Sequence, residues 1–557
     1  MSTATEKQGT HDRAFATALW RELVIIAGLC AFLFFYGLGS FGLVGADEPR
    51  YAQIAREMLQ RHDWIVPVLN GTPWLEKPVL FYWEAMLSYS VFGVSDWAAR
   101  LPNALNATAV VLAFYFFVRR FRPGLQLDAA LMVASCTAFI GFGHAASTDM
   151  PLASLLTVAM LSWLTWFQTD RRRWLAVFYV LLGLGTLAKG PVAPFLAALI
   201  IVPFALIRRK PRLILRTLWP RGIFLFLLVS LPWYVAIQAR IPEFFRTFIL
   251  EHNLARYGSN LYRHHQPFWY YIPIVLLALL PWTVLAITGL VSAIREGYSM
   301  PAGFWQIGAD TDEAEDAQNR AVDFPVFFAL WGVLPVIFFS FSGSKLPGYI
   351  LPAVPGFLLL TVEWLARKYE DSESPSFVLM LGHVIAANLL LAAALLSYHI
   401  VYRVKPNSQA LLVACVFTGL VALISIVFLL LRGTKVLRLV TMIPVILGIG
   451  FVLKVVSPAI DNTQSARPVA KEIEAMHQSL PVAGFGIRRE VEYGLGFYLN
   501  RPIAMYDRAE IPPSKHIVVI RKRSADALAA LIPGRTVDCP RHFEPQDLDI
   551  CFVGAAK

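Results

Sequence analysis

The charged residues of this chain gather beside its apolar segments in a pattern suited to holding a phosphate. Asp47-Glu48-Pro49-Arg50-Tyr51 follows the first apolar run, and Glu76-Lys77 lies further along the same polar stretch. Asp149 stands in Ser147-Thr148-Asp149-Met150-Pro151, and Lys345 and Tyr349 stand in Ser344-Lys345-Leu346-Pro347-Gly348-Tyr349, each at the mouth of another apolar run. Charge beside a membrane is costly, so such residues are functional candidates by default. Asp47 and Asp149 offer carboxylates that can hold positive charge or take a proton, and Glu48, beside the first of them, is a candidate for binding substrate. Arg50, Lys77, Lys345 and Tyr349 offer cations and a hydroxyl that suit a lipid phosphate.

Each of these residues also has a plain structural role available. Asp47 is placed to cap a helix with Pro49 in its first turn, and Asp149 could cap another. Lys189, in Ala188-Lys189-Gly190-Pro191, and Lys345 could snorkel to the interface. Lys345 favours function, because a basic residue on the outer side runs against the usual charge bias. Glu76 with His264 or His265 would give the carboxylate and imidazole that Zn²⁺ or Mn²⁺ accepts. Gly37-Leu38-Gly39-Ser40-Phe41-Gly42 spells GxGxxG but follows a membrane segment, so the strand and helix that a dinucleotide needs are missing. No P-loop or HExxH stretch is present, and nothing offers a place for a soluble nucleotide donor.

These residues are positioned by a polytopic α-helical membrane protein. The chain has 557 residues, 57% hydrophobic and 16% charged, with mean hydropathy +0.56; soluble chains carry about 25% charged residues. The net charge of +11 is accounted for by basic cytoplasmic loops and does not call for nucleic acid. Fourteen apolar runs approach the ~20 residues a bilayer requires. The run 79–94 is short and carries Glu84 in its middle. Arg119-Arg120 with Arg122, Arg171-Arg172-Arg173, Arg208-Arg209-Lys210, Arg367-Lys368, and Lys435 with Arg438 fall on one side only if that run stays in the interface. About thirteen spans then remain, with 1–22 as a cytoplasmic tail, 23–457 as the membrane domain and 41–102 wholly on the outer face.

Within 41–102, Tyr51, Ile54, Ala55, Met58 and Leu59 repeat at helical spacing, with Arg50, Gln53, Arg56, Glu57 and Arg61 opposite. That pattern predicts an amphipathic helix lying on the membrane surface. A second outer loop, 239–267, holds Glu251-His252 and Arg263-His264-His265, and the acidic insert near Asp310–Asp316 is expected to be a cytoplasmic linker. From about Pro458 the pattern changes to a small α/β domain, 458–557. Helices are expected over 465–478, 491–499 and 525–532, with strands over 482–487, 516–521 and 548–553. Cys539 and Cys551 lie in this domain and could pair in an oxidising compartment, although spacing alone fixes no geometry.

Asp47-Glu48-x-Arg50-Tyr51-Ala52, Arg56-Glu57-Met58-Leu59, Asp63-Trp64-Ile65-Val66-Pro67 and Glu76-Lys77-Pro78 together resemble the first-loop signature of the protein O-mannosyltransferase-related branch of the glycosyltransferase C superfamily. Glu251-His252, Pro267-Phe268-Trp269-Tyr270-Tyr271 and Lys345-Leu346-Pro347-x-Tyr349-Ile350-Leu351 resemble the bacterial lipid A aminoarabinose transferases. The resemblance implies a glycosyltransferase C-type fold and a membrane enzyme without a certain cofactor. The implied reaction moves 4-amino-4-deoxy-L-arabinose from undecaprenyl phosphate to lipid A on the periplasmic side of the inner membrane, with the enzyme acting as a monomer. It implies catalytic roles for Asp47 and Asp149, and substrate contacts for Arg50, Lys77, Lys345 and Tyr349. A relative with another sugar or a protein hydroxyl acceptor, and a transporter of lipid-linked sugars, are the alternatives. Charges gathered on one face, with no repeat in matching halves, favour the enzyme over the transporter.

Overall fold

The structure, a computed structural model, describes residues 17–248, 266–298, 313–371, 373–476 and 480–556. Among these, nine helices are long and apolar enough to cross a membrane, and two bent pairs raise the number to eleven. Two shorter or more charged helices, Arg172–Lys189 and Val192–Ile207, occupy the remaining expected positions. The bent pairs, Gln126–Ser135 with Thr137–Gly143 and Phe268–Ala278 with Thr283–Arg295, turn by 59° and 117°. Long helices dominate because, in lipid, a backbone polar group must find its partner within its own segment.

The first membrane helix α1 (Thr17–Phe35) leads into the polar stretch. There the chain forms α2 (Asp47–Gln60), the hairpin β1 (Val68–Leu69) with β2 (Thr72–Pro73), and α3 (Leu80–Phe92). Asn70 and Gly71 both take positive φ, 53° and 78°, in the two-residue turn of that hairpin. At 13 residues, α3 is too short to span a bilayer, in agreement with the charge argument. It is followed by α4 (Asp96–Phe121), α5 (Asp149–Thr169) and α6 (Arg172–Lys189).

The helix α2 does not lie half-exposed on a membrane surface. Tyr51, Ile54, Ala55 and Met58 are buried as their spacing predicts and Leu59 is half-buried, but Arg50 and Gln53 on the polar face are buried too, as is Glu48. The C-terminal domain covers that face through α7 (Arg489–Leu499), whose Tyr493 and Phe497 join the same apolar cluster as α2 and α3. Arg56 Nη1 donates to Phe497 O at 2.6 Å, and its guanidinium lies 4.3 Å from the Phe497 ring centre. An amphipathic pattern marks two different faces, and here the polar one meets protein rather than water.

The C-terminal domain is a five-stranded sheet in the order β4-β3-β5-β7-β6, from β3 (Val482–Phe485), β4 (Ala504–Met505), β5 (His516–Arg521), β6 (Val537–Phe543) and β7 (Leu548–Val553). Strand β3 pairs in parallel with β4 and β5, whereas β7 runs antiparallel to both β5 and β6. Strand alternation separates two cores. Ile517 and Val519 face α7 and the helix Arg467–Ala475, while Val518 and Ile520 face the helix Ala525–Leu531. A disulfide joins Cys539 on β6 to Cys551 on β7.

This domain is clasped to the polar stretch. Arg467 bonds Asp461 within the domain and Asp96 at the start of α4, and Tyr498 OH donates to Asp96 at 2.6 Å. The amide of Leu43 donates to the same Tyr498 oxygen. Gly42 must be glycine here, since a Cβ would stand 2.3 Å from Ser465 Oγ and 2.5 Å from Tyr498 OH. The glycine-rich GxGxxG stretch therefore serves close domain packing.

Candidate active site

Two loops carry the candidate carboxylates, and one buried pair fixes them to each other. Glu48 takes Arg100 Nη2 at 2.6 Å on one carboxylate oxygen, where the Val44 amide also donates at 2.9 Å. Its other oxygen accepts from the Ala146 amide at 2.9 Å, three residues before Asp149. Arg100 is fully buried and donates as well to the carbonyls of Leu38, Phe41 and Gly42. Asn103, one turn further along α4, donates to the carbonyls of Ala145 and Ser147. An arginine with its donors in a planar fork suits this task, since it serves several acceptors at once.

The loops so held open on a cavity of about 830 Å³. Asp47, Arg50, Glu76, Lys77, Asp149 and Tyr349 all line it, so six of the residues singled out from the sequence converge there. Asp47 is not the cap of α2. That position belongs to Ala46, which makes no side-chain cap bond, and Asp47 in the first turn accepts from Arg50 Nη2 at 2.5 Å. Arg50 lies 5.1 Å from the ring centres of both Tyr51 and Trp74 and 5.8 Å from that of Tyr493. Burial alone would lower its pKa, but Tyr51, Asp47 and Glu76 outweigh burial and hold it above the usual arginine value. Burial and Asp47 likewise raise Tyr51, which stays a neutral phenol. Arg50 Nε is buried without a hydrogen-bond partner, a donor that a phosphate oxygen would satisfy.

Asp149 occupies the far wall. It too is no cap: Thr148 precedes α5, and the Asp149 carboxylate accepts from Lys189 Nζ at the end of α6. The same ammonium lies 4.9 Å from the centre of the Tyr349 ring. Gly348 makes this approach possible, because a Cβ there would stand 2.7 Å from Asp149 Cγ.

Two candidates stand elsewhere, Glu48 and Lys345. Glu48 is spent on Arg100 and two backbone amides, so it organises the loops and does not face a substrate. Lys345 is 5% exposed and lies outside the cavity lining, with Nζ donating to the carbonyls of Ser342 at 2.8 Å and Gln266 at 3.0 Å. It folds inward and ties two segments together instead of pointing outward. His264 and His265, with Glu251-His252 and Asp310, lie outside the described residues. Among the described residues no group of three or more His, Cys, Asp or Glu side chains is arranged to hold a metal ion. Glu76 lines the cavity, while the histidines named with it lie outside the described residues.

The sequence reading missed two parts of the site. Lys189 looks like an ordinary interfacial lysine, and only the fold sets it on Asp149. The C-terminal domain, from which no site residue was singled out, supplies Ile487, Arg488, Arg489, Glu490, Asp507 and Arg508 to the cavity. No spacing rule joins residues near 500 to residues near 50.

Residues 76–235 match the family described as dolichyl-phosphate-mannose-protein mannosyltransferase; that range includes Lys77, Asp149 and Lys189. The chain is 31% identical over 363 residues to an undecaprenyl phosphate-alpha-4-amino-4-deoxy-L-arabinose arabinosyl transferase of Pseudomonas paraeruginosa, covering 64% of this chain and 61% of that protein. It is 30% identical over 400 residues to a protein of the same name from Pseudomonas fluorescens, covering 69% and 65%. The matched stretch thus spans less than two thirds of the length of these relatives. In structure the chain is similar to ArnT from Cupriavidus metallidurans bound to undecaprenyl phosphate, with a TM-score of 0.74 and 23% identity over 95% of this chain and 97% of that one. The apo form of that protein gives a TM-score of 0.75 with 22% identity, over 96% and 98%. The expected glycosyltransferase C-type fold is therefore the fold the chain has.

Proposed function

We propose that this protein is a membrane glycosyltransferase that moves 4-amino-4-deoxy-L-arabinose from undecaprenyl phosphate to a phosphate group of lipid A. The observation that carries this reading is the cavity, which joins two carboxylates, Asp47 and Asp149, to Arg50, Lys77, Lys189 and Tyr349. A lipid-linked donor needs its phosphate neutralised as it leaves, and fixed cations do this without reorganising. The bond from sugar C1 to the donor phosphate oxygen breaks, and its electron pair departs with undecaprenyl phosphate. An acceptor phosphate oxygen supplies the pair for the new bond.

Glycosyl transfer develops positive charge on the sugar ring, and a nearby carboxylate stabilises it. A phosphate monoester with its second pKa near ~6 is mostly ionised at neutral pH, so it needs no base. Asp47, already engaged with Arg50, then acts by holding charge and orienting the sugar ammonium. A hydroxyl acceptor would instead require Asp47 as a general base.

The basic loops support an inner-membrane protein with a cytoplasmic N-terminus and the site and C-terminal domain in the periplasm. The Cys539–Cys551 bond supports the same orientation, since disulfides persist in oxidising compartments. Added aminoarabinose would reduce the negative charge of lipid A and weaken its attraction for polymyxin and other cationic peptides. Purified protein in nanodiscs, given radiolabelled undecaprenyl phosphate-aminoarabinose and lipid A, tests the reading. Label should pass to lipid A, and an Asp47→Asn variant should fall at least tenfold; wild-type rates in that variant would remove Asp47 from the mechanism.

A further inference from the structure

The cavity is lined by cations from two parts of the chain. Arg50, Lys77 and Lys189 stand on the membrane domain, and Arg488, Arg489 and Arg508 stand on the C-terminal domain. Asp47 and Asp149 already engage Arg50 and Lys189, whereas on the C-terminal domain Arg489 makes no salt bridge among the described residues and Arg488 meets only Glu490, which leaves these two arginines open to a second anion. A transfer from one phosphate to another brings two anions into one enclosed space, where each needs its own countercharge. We propose that Arg488 and Arg489, assisted by Arg508, bind the phosphate of the acceptor, so that the C-terminal domain selects phosphorylated over hydroxyl-bearing acceptors. The proposal rests on the reading of a lipid-phosphate-linked donor at the same cavity.

The pairing of these arginines fits that role. Among the described residues Arg489 makes no salt bridge, although it lines the cavity and is exposed. Arg488 Nη1 is 3.1 Å from Glu490, with its side chain 54% exposed. An exposed pair of this kind is weak, and a phosphate can replace it through a stronger bidentate contact. Arg508 is anchored from behind: Nη2 meets the buried Glu492 at 2.6 Å, and Nε lies 3.5 Å from Asp507. That anchor holds the guanidinium at the cavity edge while its side chain remains 48% exposed. The clasp of Arg467 and Tyr498 on Asp96 fixes this surface over the membrane-domain cations.

The test measures binding of three probes to the full chain in nanodiscs: undecaprenyl phosphate, bis-phosphorylated lipid A, and the same glycolipid after enzymatic dephosphorylation. Wild-type protein should prefer bis-phosphorylated lipid A to its dephosphorylated form at least tenfold. The Arg488→Gln/Arg489→Gln variant changes two exposed side chains and should lose that preference, with undecaprenyl phosphate affinity kept within twofold. Arg508→Lys, which keeps a cation for Glu492 but removes the fork, should lose about threefold in lipid A affinity alone. The proposal is overturned if the double variant keeps the preference, if undecaprenyl phosphate affinity falls in parallel with lipid A affinity, or if wild-type protein shows no preference. Failure of wild-type protein to bind undecaprenyl phosphate would instead defeat the proposed donor, and the lipid A comparison reads out independently of it.

Discussion

The Glu48 carboxylate and the Arg100 guanidinium meet at 2.6 Å in the protein interior, and together they hold both loops that carry the site's aspartates. Arg100 binds the Leu38–Gly42 backbone, and Glu48 reaches across to Ala146. Breaking such a pair from one side leaves a buried charge and several carbonyls without partners, at about 3–5 kcal/mol. Arg100→Met should therefore lower the melting temperature strongly. Glu48→Gln should lose transfer at least tenfold, because the Asp47 and Asp149 loops fall out of register. Wild-type melting and turnover in both variants would show that the pair positions nothing.

Gly348 and Asp149 make a sharper case, because the contact is local. A Cβ at Gly348 would stand 2.7 Å from the Asp149 carboxyl carbon, so Gly348→Ala must push the carboxylate or its segment aside. Displacement of a reacting group by about 1 Å can cost on the order of 100-fold in rate. The expected result is a kcat reduced at least tenfold, with melting within a few degrees of wild type. Unchanged kcat would mean that Asp149 does not depend on this geometry.

The two lysines singled out together, Lys77 and Lys345, should behave oppositely. Lys77 lines the cavity, and Lys77→Gln should weaken undecaprenyl phosphate binding at least fivefold in a titration of purified protein. Lys345→Met strands the carbonyls of Ser342 and Gln266. Each stranded group costs about 1–3 kcal/mol, so that variant should melt earlier while binding the lipid within twofold of wild type. Reversed results would restore Lys345 to the site.

The Cys539–Cys551 bond closes a loop over a sequence separation of 12. By loop-closure entropy a short loop of this kind is worth about 3 kcal/mol. Reduction under mild denaturant should expose the C-terminal domain to proteolysis well before the membrane domain. Cleavage that is insensitive to reductant would count against the bond.

Much of this was legible in the sequence because the physics involved is local or periodic. Apolar length and the basic loops located the spans, and Glu84 with the charge bias marked 79–94 as too short to cross. Short runs rich in apolar and β-branched residues marked 516–521 and 548–553 at their observed limits, whereas β4, at two residues, and β6, mostly exposed, carried no such signal. The aspartates, Arg50 and Lys77 stood out because charge beside a membrane is rare. The contacts made between distant segments were not legible. Glu48 and Lys345 look like their functional neighbours until the fold turns them inward. Lys189 looks like an anchor until α6 delivers it to Asp149. The arginines of the C-terminal domain enter the site through long-range contacts, the packing of α7 on α2 and the clasp of Arg467 and Tyr498 on Asp96, which tie the end of the chain to its beginning.

Mass spectrometry of lipid A from cells that make undecaprenyl phosphate-aminoarabinose, with and without this protein, tests the proposed reaction most directly. Cells carrying the wild-type chain should show lipid A with added aminoarabinose on its phosphates, and cells carrying Asp47→Asn should show at least tenfold less. Identical lipid A spectra with and without the protein, in cells that contain the donor, would contradict the proposed transfer.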